Sequence, residues 1–570
     1  MVYQRSLPSG RGTRVAPAAP AAVAVPVVVM LALGLWGLDR GGTWRDEDVT
    51  LQVARRSVPQ IWRLLHGVDA VHGLYYLLMH PVLAVRADEV ALRLPSVCAA
   101  AATAGLIAAL GVRLARPRVG LWAGLLYAAT PLAGHYAQEG RSYALVGAGA
   151  AAATLLLVRA LDGRRSWWPY GVVVTLTCLL HELAVLSLLA HAVTLGHVRV
   201  ARRTWRGWAG GAGAALAALL PLALVSRAQA GQIAWLPRPG PGSAERLLHA
   251  FLGQSGPVWW ACLLLAAVAV PPRSRRAPSV IPSVTSVALP LMVLPPLALL
   301  AVSQMRPMYD DRYVLYALAG APLLVAAGAD RLLTAVGAVL PGPGPTPPRG
   351  GSSLVPLVGT LAVALAFTHQ LPLHRQDRTL LTRPDSLAAV SALAARELRP
   401  GDAVVFLPSI GRRAALSHPE GFRGVRDIAL RTPGPASGTL YGRETGAREL
   451  RRRLLTLDRL WLVAEPYALR SPWYPRNPTE RVKLTVVGER FVPYEPRREF
   501  VRDGVTLRLY AKRRPAGPRV PASPRVPAGT RVAVRPRVPT GTRAPRPAAS
   551  RTRARPPAPP RPAPPRPGRR

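Results

Sequence analysis

Apolar runs long enough to cross a bilayer follow one another from residue 21 to about residue 370, most of them separated by short turns rich in arginine. Lipid offers no partner to a backbone N–H or C=O, so such a succession can fold only as a bundle of helices. Half of the 570 residues are hydrophobic although the formal net charge is +44, a pairing that soluble globular proteins seldom show. The basic residues are nearly all arginine, with lysine only at 483 and 512, and alanine, glycine and proline are abundant. That bias reads as a GC-rich genome, so the charge is no footprint of a nucleic-acid partner and none is expected. Cys98, Cys178 and Cys262 lie in or beside apolar runs without a C-x-x-C pair, and read as small buried residues.

Hydropathy and the turn arginines place eleven spans: about 21–38, 90–112, 119–136, 143–158, a tight pair within 167–198 turning near His181-Glu182, 208–226, 257–272, 278–303, 313–329 and 354–370. The first run follows Arg5, Arg11 and Arg14 without a small-residue cleavage site, and reads as an uncleaved span. The arginine-rich turns at 113–118, 159–165, 199–206 and 273–276 alternate with turns that hold acids or few charges. The positive-inside rule makes the first set cytoplasmic and turns the second outward. The expected organisation is a cytoplasmic N-terminus (1–20), a membrane domain (21–370) with a long outer loop (39–89), an extracytoplasmic α/β domain (371–512) and a disordered Pro/Arg-rich tail (513–570). In the outer loop, Val49–Leu65 is amphipathic and suits the membrane interface, with a break at Pro59, and 71–85 suits a second interfacial or partly inserted helix better than a full span. In the α/β domain, 402–407 and 459–464 read as buried strands, 386–398 and 448–455 as helices, and 501–512 as an edge strand. The tail, with fourteen arginines and no acid from 515 onward, cannot bury a core. It either binds anionic lipid or wall polymer or has no role of its own.

The stretch Thr43-Trp44-Arg45-Asp46-Glu47-Asp48 places three acids just beyond the first span. Acids there cap a helix N-terminus, or they do chemistry at the mouth of the bundle. Other polar groups converge on the same face: Asp69 and His72, His135, Gln138, Glu139 and Arg141, His181-Glu182, and Arg306, Asp310, Asp311 and Arg312. A carboxylate can take a proton from an acceptor hydroxyl while arginine grips a phosphate, which is the pairing that sugar transfer from a lipid phosphate requires. Arg141 and Arg312 equally fit a role as interfacial anchors, and His181-Glu182 a helix–helix turn. No metal-ligand spacing is present and no cofactor is expected, although carboxylates are ligands a divalent cation accepts.

The order of parts resembles the membrane-embedded glycosyltransferases of the C-type fold, in particular the glycosyltransferase family 39 group, which includes protein O-mannosyltransferases and lipid A aminoarabinose transferases. The matching residues are Trp44 to Asp48, Asp69-Ala70-Val71-His72-Gly73-Leu74-Tyr75-Tyr76, Arg93-Leu94-Pro95-Ser96, Ala137-Gln138-Glu139-Gly140-Arg141-Ser142-Tyr143-Ala144 and Asp311-Arg312-Tyr313. The resemblance implies a polyprenyl-phosphate sugar donor, mannose-like, and inverting transfer to a protein, lipid or glycan acceptor outside the plasma membrane. It implies Asp46 as general base with Glu47 beside it as the catalytic pair. Asp48, Asp69, His72, Tyr75, Gln138, Glu139, Arg141, Tyr143 and Arg312 then line the substrate site, and Arg141 and Arg312 hold the donor phosphate. A Lys-Pro-Pro element of better-known members is replaced here by Val71-His72-Gly73, and Asp48 adds a third acid. The rival classes are a transporter or flippase for a lipid-linked precursor and a non-catalytic wall-binding scaffold. The first calls for inverted repeats or polar residues at the bilayer midplane, and neither is evident.

Overall fold

The computed structural model describes residues 18–40, 42–161, 166–270, 282–339, 351–379, 387–465, 468, 477–493, 499–502 and 505–512. The expected tail, residues 1–17 of the N-terminal segment, the linker 341–350 and the turn arginines 164, 165, 273, 275 and 276 lie outside the described residues.

The helices run in chain order as follows. The first is α1 (Ala18–Leu35), then α2 (Arg45–Ala54), α3 (Val58–Leu65) and α4 (Gly73–Val85), the last entered through a 3-10 turn at Ala70–His72. Next come α5 (Glu89–Leu114), α6 (Pro117–Ala129), α7 (Pro131–Ala137) and α8 (Tyr143–Ala160). Then follow α9 (Trp168–Leu180), α10 (Ser187–Val198), α11 (Arg202–Ala228), α12 (Pro241–Leu252), α13 (Gly256–Ala269), α14 (Val284–Met305), α15 (Gly320–Val339) and α16 (Gly351–Gln376). Among the described residues, six helices are long and apolar enough to cross a membrane: α5, α8, α11, α14, Asp311–Val336 and Val355–Gln376. The α12–α13 pair, bent by 88°, makes a seventh if it is one broken span, and four shorter apolar helices stand beside them.

Several boundaries differ from the sequence reading for local reasons. The run 119–136 breaks at Thr130, which is extended (φ −77°, ψ 123°) because Pro131 disfavours helix at the residue before it. The loop 227–256 contains α12, whose buried Leu247, Phe251 and Leu252 are hidden in sequence by the flanking Pro, Gly and Arg. The final helix does not stop near 370 but runs to Gln376, and Arg378 beyond it donates to the Trp36 and Leu33 carbonyls, both at 2.9 Å.

Close backbone approach sets the packing beside α1. A Cβ on Gly111 of α5 would lie 2.7 Å from the Gly120 Cα, and one on Gly120 of α6 would lie 2.4 Å from the Ala108 carbonyl oxygen. Small residues at a helix crossing let dispersion do the work that hydrophobicity cannot do in lipid.

Beyond α16 the chain forms α17 (Leu387–Glu397), a six-stranded sheet and further short helices. The sheet strands are β1 (Ala403–Leu407), β2 (Arg426–Asp427), β5 (Arg459–Ala464), β6 (Phe491–Pro493), β7 (Glu499–Arg502) and β8 (Val505–Lys512); β3 (Leu430–Thr432) and β4 (Arg443–Glu444) form a separate ribbon. The order is β2-β1-β5-β8-β6, with β1 parallel to β2 and β5, and β8 antiparallel to β5, β6 and β7. Val405, Leu407 and Leu462 face a core with Leu450, Leu454 and Val486, while Val404, Phe406 and Trp461 face one with Leu387 and Val390. Both faces are thus covered, as the continuous apolar strands imply. β8 is interior to the sheet and not its edge. Alternation along a strand reports which face is buried and carries no information about the in-plane neighbours.

Gly120→Ala should lower the thermal midpoint, at about 1–3 kcal/mol for overpacking. Gly213→Ala, where nothing lies within 4 Å of the added Cβ, should leave it unchanged or higher. Thermal unfolding of both in detergent checks the contrast.

Candidate active site

The acids Asp46, Glu47 and Asp48 occupy the first turn of α2, where they complement the helix dipole. Consecutive residues on a helix point about 100° apart, so the three carboxylates go to different places.

Glu47 goes inward and is fully buried. Its Oε1 accepts from Arg93 Nε and from the Gly140 N–H, each at 2.8 Å, and its Oε2 accepts from Arg93 Nη2 at 2.9 Å and the Trp44 N–H at 3.3 Å. Arg93, equally buried on α5, also donates to the carbonyls of Leu38 (2.9 Å), Arg40 (3.3 Å) and Gly42. Residue 140 has to be glycine because a Cβ there would stand 2.4 Å from Leu92 Cγ. One ion pair thus fastens α2, the end of α1, α5 and the 138–142 turn. Both Glu47 oxygens are filled, which leaves no lone pair directed at a substrate and separates Glu47 from the chemistry expected of it in sequence.

Asp46 goes outward, with 31% of its side chain exposed, and its Oδ2 accepts from Arg312 Nη1 at 2.9 Å. The Arg312 guanidinium lies over the rings of Trp44, Tyr143 and Tyr313 at 5.6, 5.7 and 5.6 Å. Arg141 is buried, its Nη1 makes only long contacts to the Asp46 carbonyl and Thr50 Oγ1, both 3.4 Å, and its Nε has no partner. A buried guanidinium with unfilled donors is costly unless an anion arrives to meet it. Asp69, in the left-handed region at φ +64°, accepts from the Tyr76 hydroxyl.

Asp48 goes sideways to the C-terminal domain. Its Oδ1 accepts from Thr43 Oγ1 at 2.8 Å and meets His418 Nε2 at 3.2 Å, while its backbone carbonyl accepts from Ser417 Oγ at 3.1 Å. Burial pushes the Asp48 carboxyl above its usual range, against the hydrogen bond from His418. The same domain holds the far end of α2: Gln52 donates to the Leu440 carbonyl, and Arg56 donates to those of Thr439 (2.9 Å) and Leu440 (3.0 Å). Asp48, expected among the substrate ligands, is therefore engaged in a contact between domains.

Two cavities adjoin this centre. One, of about 280 Å³, is lined by His72, His181, Glu182, Gln229, Arg306 and Tyr313 among others. It is continuous with the aromatic surround of Arg312, since the His181 ring lies 5.0 Å from that of Tyr313 and 5.7 Å from that of Tyr143. The other, of about 390 Å³, is apolar and lies between α3, α4, α9 and α11, lined by Trp62, Leu74, Leu77, Leu179 and Leu222 among others. Both open along the seam of α11 with the 70–74 segment.

The remaining sequence candidates divide. Gln138 donates to the carbonyls of Gly34 (2.9 Å) and Trp36 (2.8 Å), which ties it to α1. The Tyr75 hydroxyl is buried without a partner. Glu139 is buried with Oε1 unpartnered and Oε2 3.6 Å from His135 Nε2. Burial pushes its carboxyl up to about 7, against the pull of His135 and Arg312. His181, read as one of two alternatives, a turn or a site group, stands in the polar cavity. His418 and its hold on Asp48 gave no signal in sequence, because 370 residues separate the partners. Among the described residues no group of three or more His, Cys, Asp or Glu is arranged to hold a metal ion.

Residues 74–228 match the family model described as dolichyl-phosphate-mannose-protein mannosyltransferase. No curated protein sequence matches the chain. Among solved structures the chain is similar to ArnT from Cupriavidus metallidurans in the apo state, with a TM-score of 0.53 and 13% identity over 86% of this chain and 98% of that one. The same ArnT bound to undecaprenyl phosphate gives a TM-score of 0.54 at 13% identity over the same shares. The chain is thus a membrane-embedded protein of the C-type glycosyltransferase fold, and the resemblance read in its sequence holds.

Glu47→Gln should strip Arg93 of its buried partner and destabilise the fold by about 3–5 kcal/mol, whereas Asp46→Asn should cost about 1 kcal/mol or less because that pair is part-exposed. Thermal midpoints of the two variants decide this. For Glu139 the folded pKa lies above the unfolded one, so its contribution to stability is complete below about pH 4.5 and is lost as pH rises through about 7. The wild-type thermal midpoint should therefore fall between pH 5 and pH 8, and Glu139→Gln should flatten that fall.

Proposed function

We propose that the protein transfers a single mannose-like sugar from a polyprenyl phosphate to a hydroxyl of an extracytoplasmic protein, lipid or glycan. The observation that carries this reading is Asp46, part-exposed and held at 2.9 Å by Arg312, with the underpaired Arg141 beside it. The polar cavity next to them suits a sugar phosphate, and the apolar groove on the same seam suits the polyprenyl chain. The family model is described by a dolichyl-phosphate-mannose donor, and the related ArnT has been solved with undecaprenyl phosphate. Both support a lipid-phosphate donor.

In this reading Arg141 and Arg312 hold the phosphate. As Arg312 turns to it, Asp46 loses its partner and is free to accept a proton. The acceptor oxygen attacks the anomeric carbon from the face opposite the phosphate, the bond from that carbon to the phosphate oxygen breaks, and the acceptor proton passes to Asp46. Attack from the opposite face inverts the anomeric centre. Polyprenyl phosphate leaves with its charge held by the guanidiniums, so no general acid is needed. Asp46 then returns the proton to water through its exposed edge. Glu47 fixes the helix on which Asp46 rides, and the C-terminal domain holds that helix from the other side.

Asp46→Asn should lower transfer by about a hundredfold or more, as expected for loss of a positioned base, with the fold intact. The assay uses purified protein in lipid, labelled polyprenyl-phosphate mannose and a membrane or wall extract. Full transfer by the variant would remove Asp46 as the base. Absence of transfer by the wild type with every sugar on the carrier would remove the reading.

A further inference from the structure

We propose that His72 and His181 form a neutral pair that reads the ring hydroxyls of one uncharged sugar, and that the same cavity rejects an amino sugar. This rests on the transfer reading above and names the sugar class its site accepts.

Both rings are more than nine-tenths buried, both line the 280 Å³ cavity, and the Nδ1 of each has no partner. Their centroids are 6.3 Å apart. Two buried imidazoles with open nitrogens are expensive to maintain unless a ligand fills them. A neutral imidazole offers one donor and one acceptor, which matches a hydroxyl, itself both donor and acceptor.

The surroundings keep them neutral. Burial, followed by the nearby charges of Arg312 and Arg141, pulls His181 down to about 3. Those two cations are the groups left to hold the phosphate, so the histidines are not needed for it. Glu182, held by Ser226 through one oxygen at 2.9 Å, adds an acceptor to the wall.

Charge decides between sugar classes. The cavity wall carries Arg227 and Arg306 against one acid, Glu182, while Arg312 behind it is balanced by Asp46 at 2.9 Å and Asp310 at 3.4 Å. A protonated amino group entering here meets like charge, whereas a hydroxyl meets donors and acceptors.

The test uses the full chain in lipid nanodiscs with polyprenyl phosphates carrying mannose, glucose, galactose or 4-amino-arabinose. Unsubstituted polyprenyl phosphate serves as a competitive inhibitor. Wild type should prefer a neutral hexose to the amino sugar by at least about tenfold in kcat/KM. His72→Phe and His181→Phe keep the ring and remove the nitrogens. Each should lower kcat/KM for the preferred hexose by about tenfold, the worth of one hydrogen bond, and narrow the preference among epimers, with inhibition by polyprenyl phosphate unchanged. His72→Gln, which retains a donor and an acceptor, should keep most of the preference and guards against a folding defect. An equal fall for every donor, or weaker inhibition by polyprenyl phosphate, would overturn the assignment. So would wild-type preference for the amino sugar. A wild type that neither transfers any sugar nor is bound by polyprenyl phosphate would overturn the transfer reading itself, and is distinguished by appearing before any variant is made.

Discussion

A buried ion pair organises this membrane protein around its site. Glu47 and Arg93 are both fully buried, and between them they bind the end of α1, the start of α2, the body of α5 and the Gly140 backbone. Buried pairs often contribute little net stability, because desolvation offsets the attraction. Their value lies in geometry: a carboxylate with four donors and a guanidinium with five acceptors have few alternative arrangements. That fixes the α2 register, and with it which of three adjacent acids is left exposed.

The same argument explains the division of labour along Asp46-Glu47-Asp48. One acid is saturated in the interior, one is spent on the neighbouring domain, and one meets a cation at the surface of a cavity. Asp46 is left part-exposed, and its two neighbours fix the helix turn that carries it. Arg141 repeats the pattern on the cationic side, being buried with only long hydrogen bonds from its Nη1.

Much of this was legible in the sequence, for reasons that mark its limits. Apolar runs and arginine turns disclosed the helical membrane class, and the short motifs around 44–48, 138–144 and 311–313 disclosed which turns meet. The strands Ala403–Leu407 and Arg459–Ala464 were visible because both their faces are apolar. Side-chain direction was not visible. Glu47 and Asp46 are chemically alike, and only the fold reveals that one is enclosed and the other open. Nor could adjacency to distant partners be read: the interior place of β8 and the reach of His418 to Asp48 depend on contacts across the sheet and between domains.

The hold of the C-terminal domain on α2 also has a consequence in time. Ser417, His418, Thr439 and Leu440 supply contacts to a helix that begins at Arg45, so the helix bearing Asp46 receives its final bracing from segments synthesised nearly four hundred residues later. Until that domain has been made and folded, the bundle can insert and pack while its acidic turn lacks one of its two supports. The last brace on the acidic turn thus arrives only with the far end of the chain.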